Sequence, residues 1–243
     1  MIHEFRAAIE HDGYAMLPSK LPSRHLDVLT SAMEQLGATV DLGARGGVRD
    51  AFRLLPAVRR TAVSQPMWNL AEAVLGPGCA AVRAIVFDKT PGANWKVSWH
   101  QDLTIAVRER HEVPGFGPWS IKAGIVHVQP PVNILEQMLT LRLHLDSCGP
   151  SNGPVHVLPG SHRAGRLSGD GIDAWRTRAE AHVCVAERGE ILAMRPLLLH
   201  ASSPSTSPEH RRVIHIEYAA ADLPEGLEWF EAWRPEDVGS DAA

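Results

Sequence analysis

Leu139-Thr140-Leu141-Arg142-Leu143-His144-Leu145-Asp146 decides the reading of this chain, because apolar and polar residues alternate strictly through the whole stretch. Successive side chains of a strand point to opposite faces, so the leucines share one face and Thr140, Arg142, His144 and Asp146 share the other. The leucine face is predicted to pack into a core. The polar face reads either as solvent-exposed or as the polar lining of a barrel mouth.

Working outward, further strands are expected at 81–87, 94–99, 154–158, 182–185, 190–194 and 212–219, short runs separated by Gly- and Pro-containing turns. Before residue 80 the grammar is helical. Residues 23–36 carry apolar side chains at helical spacing and stop at Gly37, and residues 65–75 stop at Gly76-Pro77-Gly78. Many short strands behind a helical first third predict a mainly β fold, a jelly-roll or barrel with flanking helices. Residues 108–137 include Pro114-Gly115-Phe116-Gly117-Pro118-Trp119 and lack strong periodicity, which is expected of a lid or an insertion. A single domain over residues 1–243 is expected: a mostly helical part (1–79), a β-barrel core (80–220) and a C-terminal extension (221–243).

Composition narrows the function classes. Of the 243 residues, 44% are hydrophobic and 21% charged, as in ordinary globular proteins. The net charge of -4 argues against a nucleic-acid partner. No apolar run reaches the length of a membrane span, and the start, Met1-Ile2-His3-Glu4-Phe5-Arg6, lacks the basic and apolar regions of a secretory signal, so a cytoplasmic location is expected. Cys79, Cys148 and Cys184 form no CxxC pair and read as small buried hydrophobes.

The 13 histidines invite a test for metal ligands. A mononuclear iron oxygenase needs two histidines and one carboxylate on one face of the ion. A His-x-Asp segment on a strand offers two of these at once; the third must come from a strand distant in sequence. Three such tripeptides occur: His25-Leu26-Asp27, His100-Gln101-Asp102 and His215-Ile216-Glu217. The first lies in an expected helix, where residues two apart diverge around the axis. The last is followed by no third ligand at suitable spacing. His100 and Asp102 close an extended segment, and His200 ends the apolar run Leu197-Leu198-Leu199. Eleven positions after His200 stands Arg211, and two after it Ser202. A guanidinium with a hydroxyl beside it suits the distal carboxylate of 2-oxoglutarate. Arg211 and Arg212 point to opposite faces of a strand, so only one of them can serve.

These residues, together with Asn152-Gly153-Pro154-Val155-His156-Val157-Leu158-Pro159-Gly160-Ser161-His162, resemble the phytanoyl-CoA dioxygenase family of iron(II)/2-oxoglutarate oxygenases, from about Ala80 to Tyr218. The resemblance implies a double-stranded β-helix, a cupin-like jelly-roll core. It implies His100, Asp102 and His200 as ligands of iron(II), with Ser202 and Arg211 as anchors of 2-oxoglutarate. Lys89 stands where a cosubstrate-contacting lysine fits. Arg142 stands where relatives usually place an aromatic or small polar residue near the cosubstrate. For both, a surface salt bridge is the alternative.

The activity implied is hydroxylation, or another oxidation, of a small-molecule metabolite by O2, with release of succinate and CO2. Asp102 argues against halogenation, which needs a small residue at that position. A non-oxidative metal-binding isomerase or a ligand-binding barrel shares the fold and the histidines, but only a dicarboxylate cosubstrate requires Arg211 with Ser202. Trp99, Gln101, Trp119, His127, Arg142 and His144 are candidate pocket residues, and the basic ones suit a substrate bearing a carboxylate or phosphate.

Overall fold

The computed structural model describes residues 2–18, 21–42, 47–90, 94–206, 209–224 and 226–238. Its strands are β1 (Tyr14–Leu17), β2 (Ala80–Lys89), β3 (Val97–His100), β4 (Ile105–Val107), β5 (Trp119–Lys122), β6 (Ile125–Val128), β7 (Met138–His144), β8 (Val155–Val157), β9 (His182–Cys184), β10 (Ile191–Met194), β11 (His200–Ser202) and β12 (Arg211–Ala219). The principal helices are α1 (Ile2–His11), α2 (Ser23–Gly37), α3 (Ala51–Leu54), α4 (Pro56–Ala62) and α5 (Gln65–Leu75). Three more, α6 (Val132–Leu135), α7 (Gly169–Arg178) and α8 (Pro235–Val238), lie in connections.

Every pairing within the sheets is antiparallel. A five-stranded sheet runs β1-β10-β7-β12-β2, a four-stranded sheet runs β3-β11-β8-β9, and a small third sheet runs β4-β6-β5. The leucine face of β7 meets the helices: Leu139, Leu141 and Leu143 share one apolar cluster with Ile9 of α1, Leu29 and Met33 of α2, Phe52 of α3 and Met67 of α5. A second cluster joins Leu192 and Met194 of β10 to Val155 and Val157 of β8, closing the two larger sheets on each other. Each buried leucine contributes about 1.5–3 kcal/mol of transfer free energy, so the helical layer is held largely by this face.

The polar face of β7 is buried, since Thr140, Arg142 and His144 are 1%, 7% and 3% exposed. Cross-strand register carries the same face onto β12 and β2. Arg142 pairs with His215, Arg211 with Lys89, and Glu217 with Arg83. The inner face of the large sheet therefore carries polar residues on β7, β12 and β2, beside the apolar Leu192 and Met194 of β10.

Three features depart from the sequence reading. β1 comes from the part expected to be helical and forms the edge of the five-stranded sheet. Residues 108–137 hold an ordered hairpin, with β5 and β6 joined at Ala123-Gly124 and β6 also paired to β4. These strands are four residues each, too short for alternation to stand out. Trp233 pairs its backbone with Ala81, which ties the C-terminal extension to the start of β2.

Candidate active site

β3 and β11 are neighbours in the four-stranded sheet, and His100 and His200 are direct cross-strand partners. Asp102 follows β3, its backbone N–H donating to Pro196 O at 2.9 Å. One ligand atom from each of His100, Asp102 and His200 lies within 4.8 Å of the others, with no other such group among the described residues. His200 Nδ1 faces Leu198 O at 2.9 Å, and His100 Nδ1 faces Ser98 O at 2.9 Å. A carbonyl accepts only, so each Nδ1 carries the proton and each Nε2 presents its lone pair. The two Nε2 atoms stand 3.8 and 3.7 Å from the Asp102 oxygens, too far for a direct hydrogen bond. Two neutral imidazoles and a carboxylate, turned toward one point, form a donor set that fits a divalent ion of intermediate softness.

Charge on the triad agrees with that fit. Burial pushes the His200 imidazolium down to about 4, against the pull of Asp102, so this ring is neutral near pH 7. Burial pushes the Asp102 carboxyl up, but His200, His215 and His100 outweigh it and hold the group well below the usual carboxylate range.

A cavity of about 370 Å³ opens onto the triad and is lined also by Ser202, Arg211, Arg142 and His215. Arg211 projects inward and donates through Nη1 to Gly153 O. Arg212, one residue on, projects outward to Asp146 and Glu34, both at 2.7 Å. Lys89 is fully buried beside Ser202, donating from Nζ to Ser202 Oγ at 3.1 Å and Ser203 O at 3.0 Å. Arg142 donates through Nη1 to His215 Nδ1 at 2.8 Å. Neither Lys89 nor Arg142 forms a surface salt bridge.

The turn after β7 builds the floor under Arg211. Asn152 Nδ2 donates to His210 O at 3.3 Å, and Ser205 Oγ donates to Asn152 Oδ1 at 2.9 Å. Gly153 has φ 60°, and a Cβ there would stand 2.6 Å from Ser203 O. Gly153→Ala should therefore lower stability by roughly 2–4 kcal/mol, from the left-handed backbone and a backbone clash together, readable as a fall in Tm. The Pro159-Gly160-Ser161-His162 turn serves β11: the Leu199 N–H donates to Ser161 Oγ at 2.8 Å, fixing the backbone next to His200.

The family model described as phytanoyl-CoA dioxygenase matches residues 9–213. The chain belongs to this family. Among solved structures it is similar to AviO1 from Streptomyces viridochromogenes Tue57, at 21% identity over 92% of this chain and 97% of that one, with a TM-score of 0.67. It is also similar to the non-heme alpha ketoglutarate dependent carbocyclase SnoK from nogalamycin biosynthesis, at 16% identity over 99% and 90% of the chains and a TM-score of 0.70. The structure of EctD from S. alaskensis, solved with 2-oxoglutarate and 5-hydroxyectoine, matches at 18% identity over 94% and 82%, with a TM-score of 0.69. At these identities the likeness speaks for the fold. No curated protein matches the chain in sequence.

In this phytanoyl-CoA dioxygenase family member, two of the other expected pocket residues, Gln101 and Arg142, border the cavity. Gln101 is also a staple, donating to Gly165 O at 2.8 Å and Leu197 O at 2.7 Å and accepting from the Leu167 N–H at 2.8 Å. Trp99, Trp119, His127 and His144 do not line the cavity. His144 packs within the sheet, with Nδ1 3.2 Å from Glu190 O, and His127, on β6 of the hairpin, is fully buried. His215 and Glu217 lie 3.2 Å apart in a buried chain that continues to Arg142 and Arg83, outside the ligand set. His25, on α2, is 2.8 Å from Thr61 Oγ1. Sequence reading missed Arg49, Arg83, Trp95 and Lys122, all of which line the cavity. No local pattern marks them: they come from four separate segments and share only the space they enclose.

Proposed function

We propose that the chain is an iron(II)- and 2-oxoglutarate-dependent dioxygenase that oxidises a small organic molecule, with His100, Asp102 and His200 holding the iron. One observation carries this reading: the buried Arg211 guanidinium and the Ser202 hydroxyl open onto the cavity that the His-Asp-His set faces. The dioxygenase family and the Asp-containing triad favour hydroxylation or a related oxidation. Three free, buried cysteines suit a cytoplasmic setting.

When bound, iron(II) supplies the coupling of 2-oxoglutarate decarboxylation, to succinate and CO2, with oxidation of the substrate by O2. The chain's own residues do the rest. His100 and His200 stay as neutral Nε2 donors because backbone carbonyls hold their Nδ1 protons, and Asp102 adds one negative charge to the ion's protein ligands. Arg211 and Ser202 take the distal carboxylate of 2-oxoglutarate, and Lys89 adds charge behind Ser202. Arg142, held by His215, adds a second guanidinium to that wall. Trp95 and Phe87 give the cavity apolar surface against which water is displaced.

Anaerobic addition of 2-oxoglutarate to the iron(II)-loaded protein should produce a weak visible charge-transfer band near roughly 500 nm, as an open facial triad accepting a keto acid predicts. Tight iron binding without that band would sink the cosubstrate assignment.

Lys89 gives the binding a pH dependence. Burial, then the nearby Arg211 and Arg142, push its ammonium down to about 7. Only the protonated amine attracts a carboxylate, so 2-oxoglutarate affinity should fall as pH rises through that value, by about tenfold between pH ~6 and ~9. Lys89→Met should flatten the dependence; an unchanged slope would place the titration elsewhere.

A further inference from the structure

We propose that Arg49 and Lys122 form a subsite for an anionic group, a carboxylate or a phosphate, on the substrate of this dioxygenase. The inference rests on the reading of the cavity given above and adds the part of the molecule that the cosubstrate does not occupy.

Charge in the cavity is unbalanced. Five cationic side chains line it, Arg49, Arg83, Lys122, Arg142 and Arg211, against the carboxylate of Asp102. Counting Glu217 as well, which ion-pairs with Arg83, five cations less two carboxylates leaves an excess of three. Iron(II) and doubly charged 2-oxoglutarate cancel each other and leave that excess standing. Charge withdrawn from water without a counter-charge is costly; Arg83, Arg142 and Arg211 are buried and Arg49 and Lys122 half-buried, so a site built this way is completed by an anion.

Position separates this excess from the cosubstrate anchors. Lys89 pairs with Arg211 at one end of the β2–β12 ladder, and Arg83 pairs with Glu217 six residues along. At strand spacing that is about 20 Å, beyond the reach of a five-carbon diacid held by Arg211. Arg49 and Lys122 gather at the Arg83 end. The Val48–Val86 backbone bridge brings Arg49 to β2, and the β5–β6 hairpin brings in Lys122 beside Thr104, to whose hydroxyl it donates at 2.9 Å. Arg49 has no hydrogen bond or ion pair among the described residues, and Arg83 is occupied by Glu217. Burial, then Arg49 and Arg83, lower the Lys122 pKa, and burial, then Arg83, lower that of Arg49; Asp102 and Glu217 pull both the other way without cancelling the effect. Leu103, between Asp102 and Thr104 in the chain, offers apolar surface beside the triad at this end.

The test is calorimetric titration under anaerobic conditions, with iron(II) and saturating 2-oxoglutarate, using phenylacetate, benzylphosphonate and neutral phenylacetamide as probes. The acids should bind and the amide should not, and whichever acid binds more tightly tells a carboxylic acid from a phosphate ester. Arg49→Gln/Lys122→Gln should weaken acid binding at least tenfold, while Arg49→Lys/Lys122→Arg should restore most of it. The keto acid band should persist in both variants, which shows that they fold. Equal binding of the amide, no binding of either acid, or acid binding unchanged in the Gln variant overturns the proposal. Loss of the band from the unsubstituted protein would instead overturn the oxygenase reading.

Discussion

His200→Ala should reduce 2-oxoglutarate-dependent succinate release to background and leave the purified protein short of iron. His200 is the proposed donor from the far strand, paired across the sheet with His100. Without it, His100 and Asp102 remain as two ligands from one end of β3, on an ion that needs three to keep its open positions on one face. The fold should survive, because the lost imidazole borders a cavity already present, and the change in stability of the metal-free protein should stay within about 1–2 kcal/mol. Measuring iron content, succinate and Tm together separates ligand loss from unfolding. Undiminished turnover would take His200 out of the ligand set.

Arg211→Ala should raise the KM for 2-oxoglutarate by roughly 30- to 1,000-fold, the equivalent of about 2–4 kcal/mol for a buried charge pair that loses one partner. The turnover number at saturation should fall far less, because in the proposed arrangement the keto acid end of the cosubstrate would be held at the metal site of His100, Asp102 and His200 and not by this residue. Arg212→Ala is the matched control. Its guanidinium pairs with Asp146 and Glu34 on the outer side of the strand, so its loss should show in stability and leave the KM unchanged. If Arg212 and not Arg211 controlled the KM, the inward face of β12 would be misassigned.

These two neighbours show how much of the site was legible. That one of them must face inward follows from the two-residue period of a strand. Which one does so depends on the register of β12 against β2 and β7, and that is set by which side of the sheet the helices cover. The His-x-Asp tripeptides behave likewise. The helical setting of His25 was readable locally, whereas what separates His215-Ile216-Glu217, on a strand with both polar side chains inward, from His100-Gln101-Asp102 is above all what lies opposite. Opposite His215 stands Arg142, and opposite His100 stands His200.

The sequence by itself determined the classes of element and the spacing of the chemistry. Leucines at every second position marked β7, apolar residues at helical intervals marked α2 and α5, and the intervals from His200 to Ser202 and Arg211 marked one strand, its turn and the returning strand. Local backbone geometry sets these patterns, so they can be read locally. Only the tertiary structure decided that the polar face of β7 is buried and brings Arg142 to a cavity, that β1 completes the large sheet, and that Arg49, Arg83 and Lys122 meet at one end of the cavity. Those outcomes depend on which surfaces cover one another when the two sheets close. A cation stranded without a counter-charge becomes visible only once the space around it is enclosed.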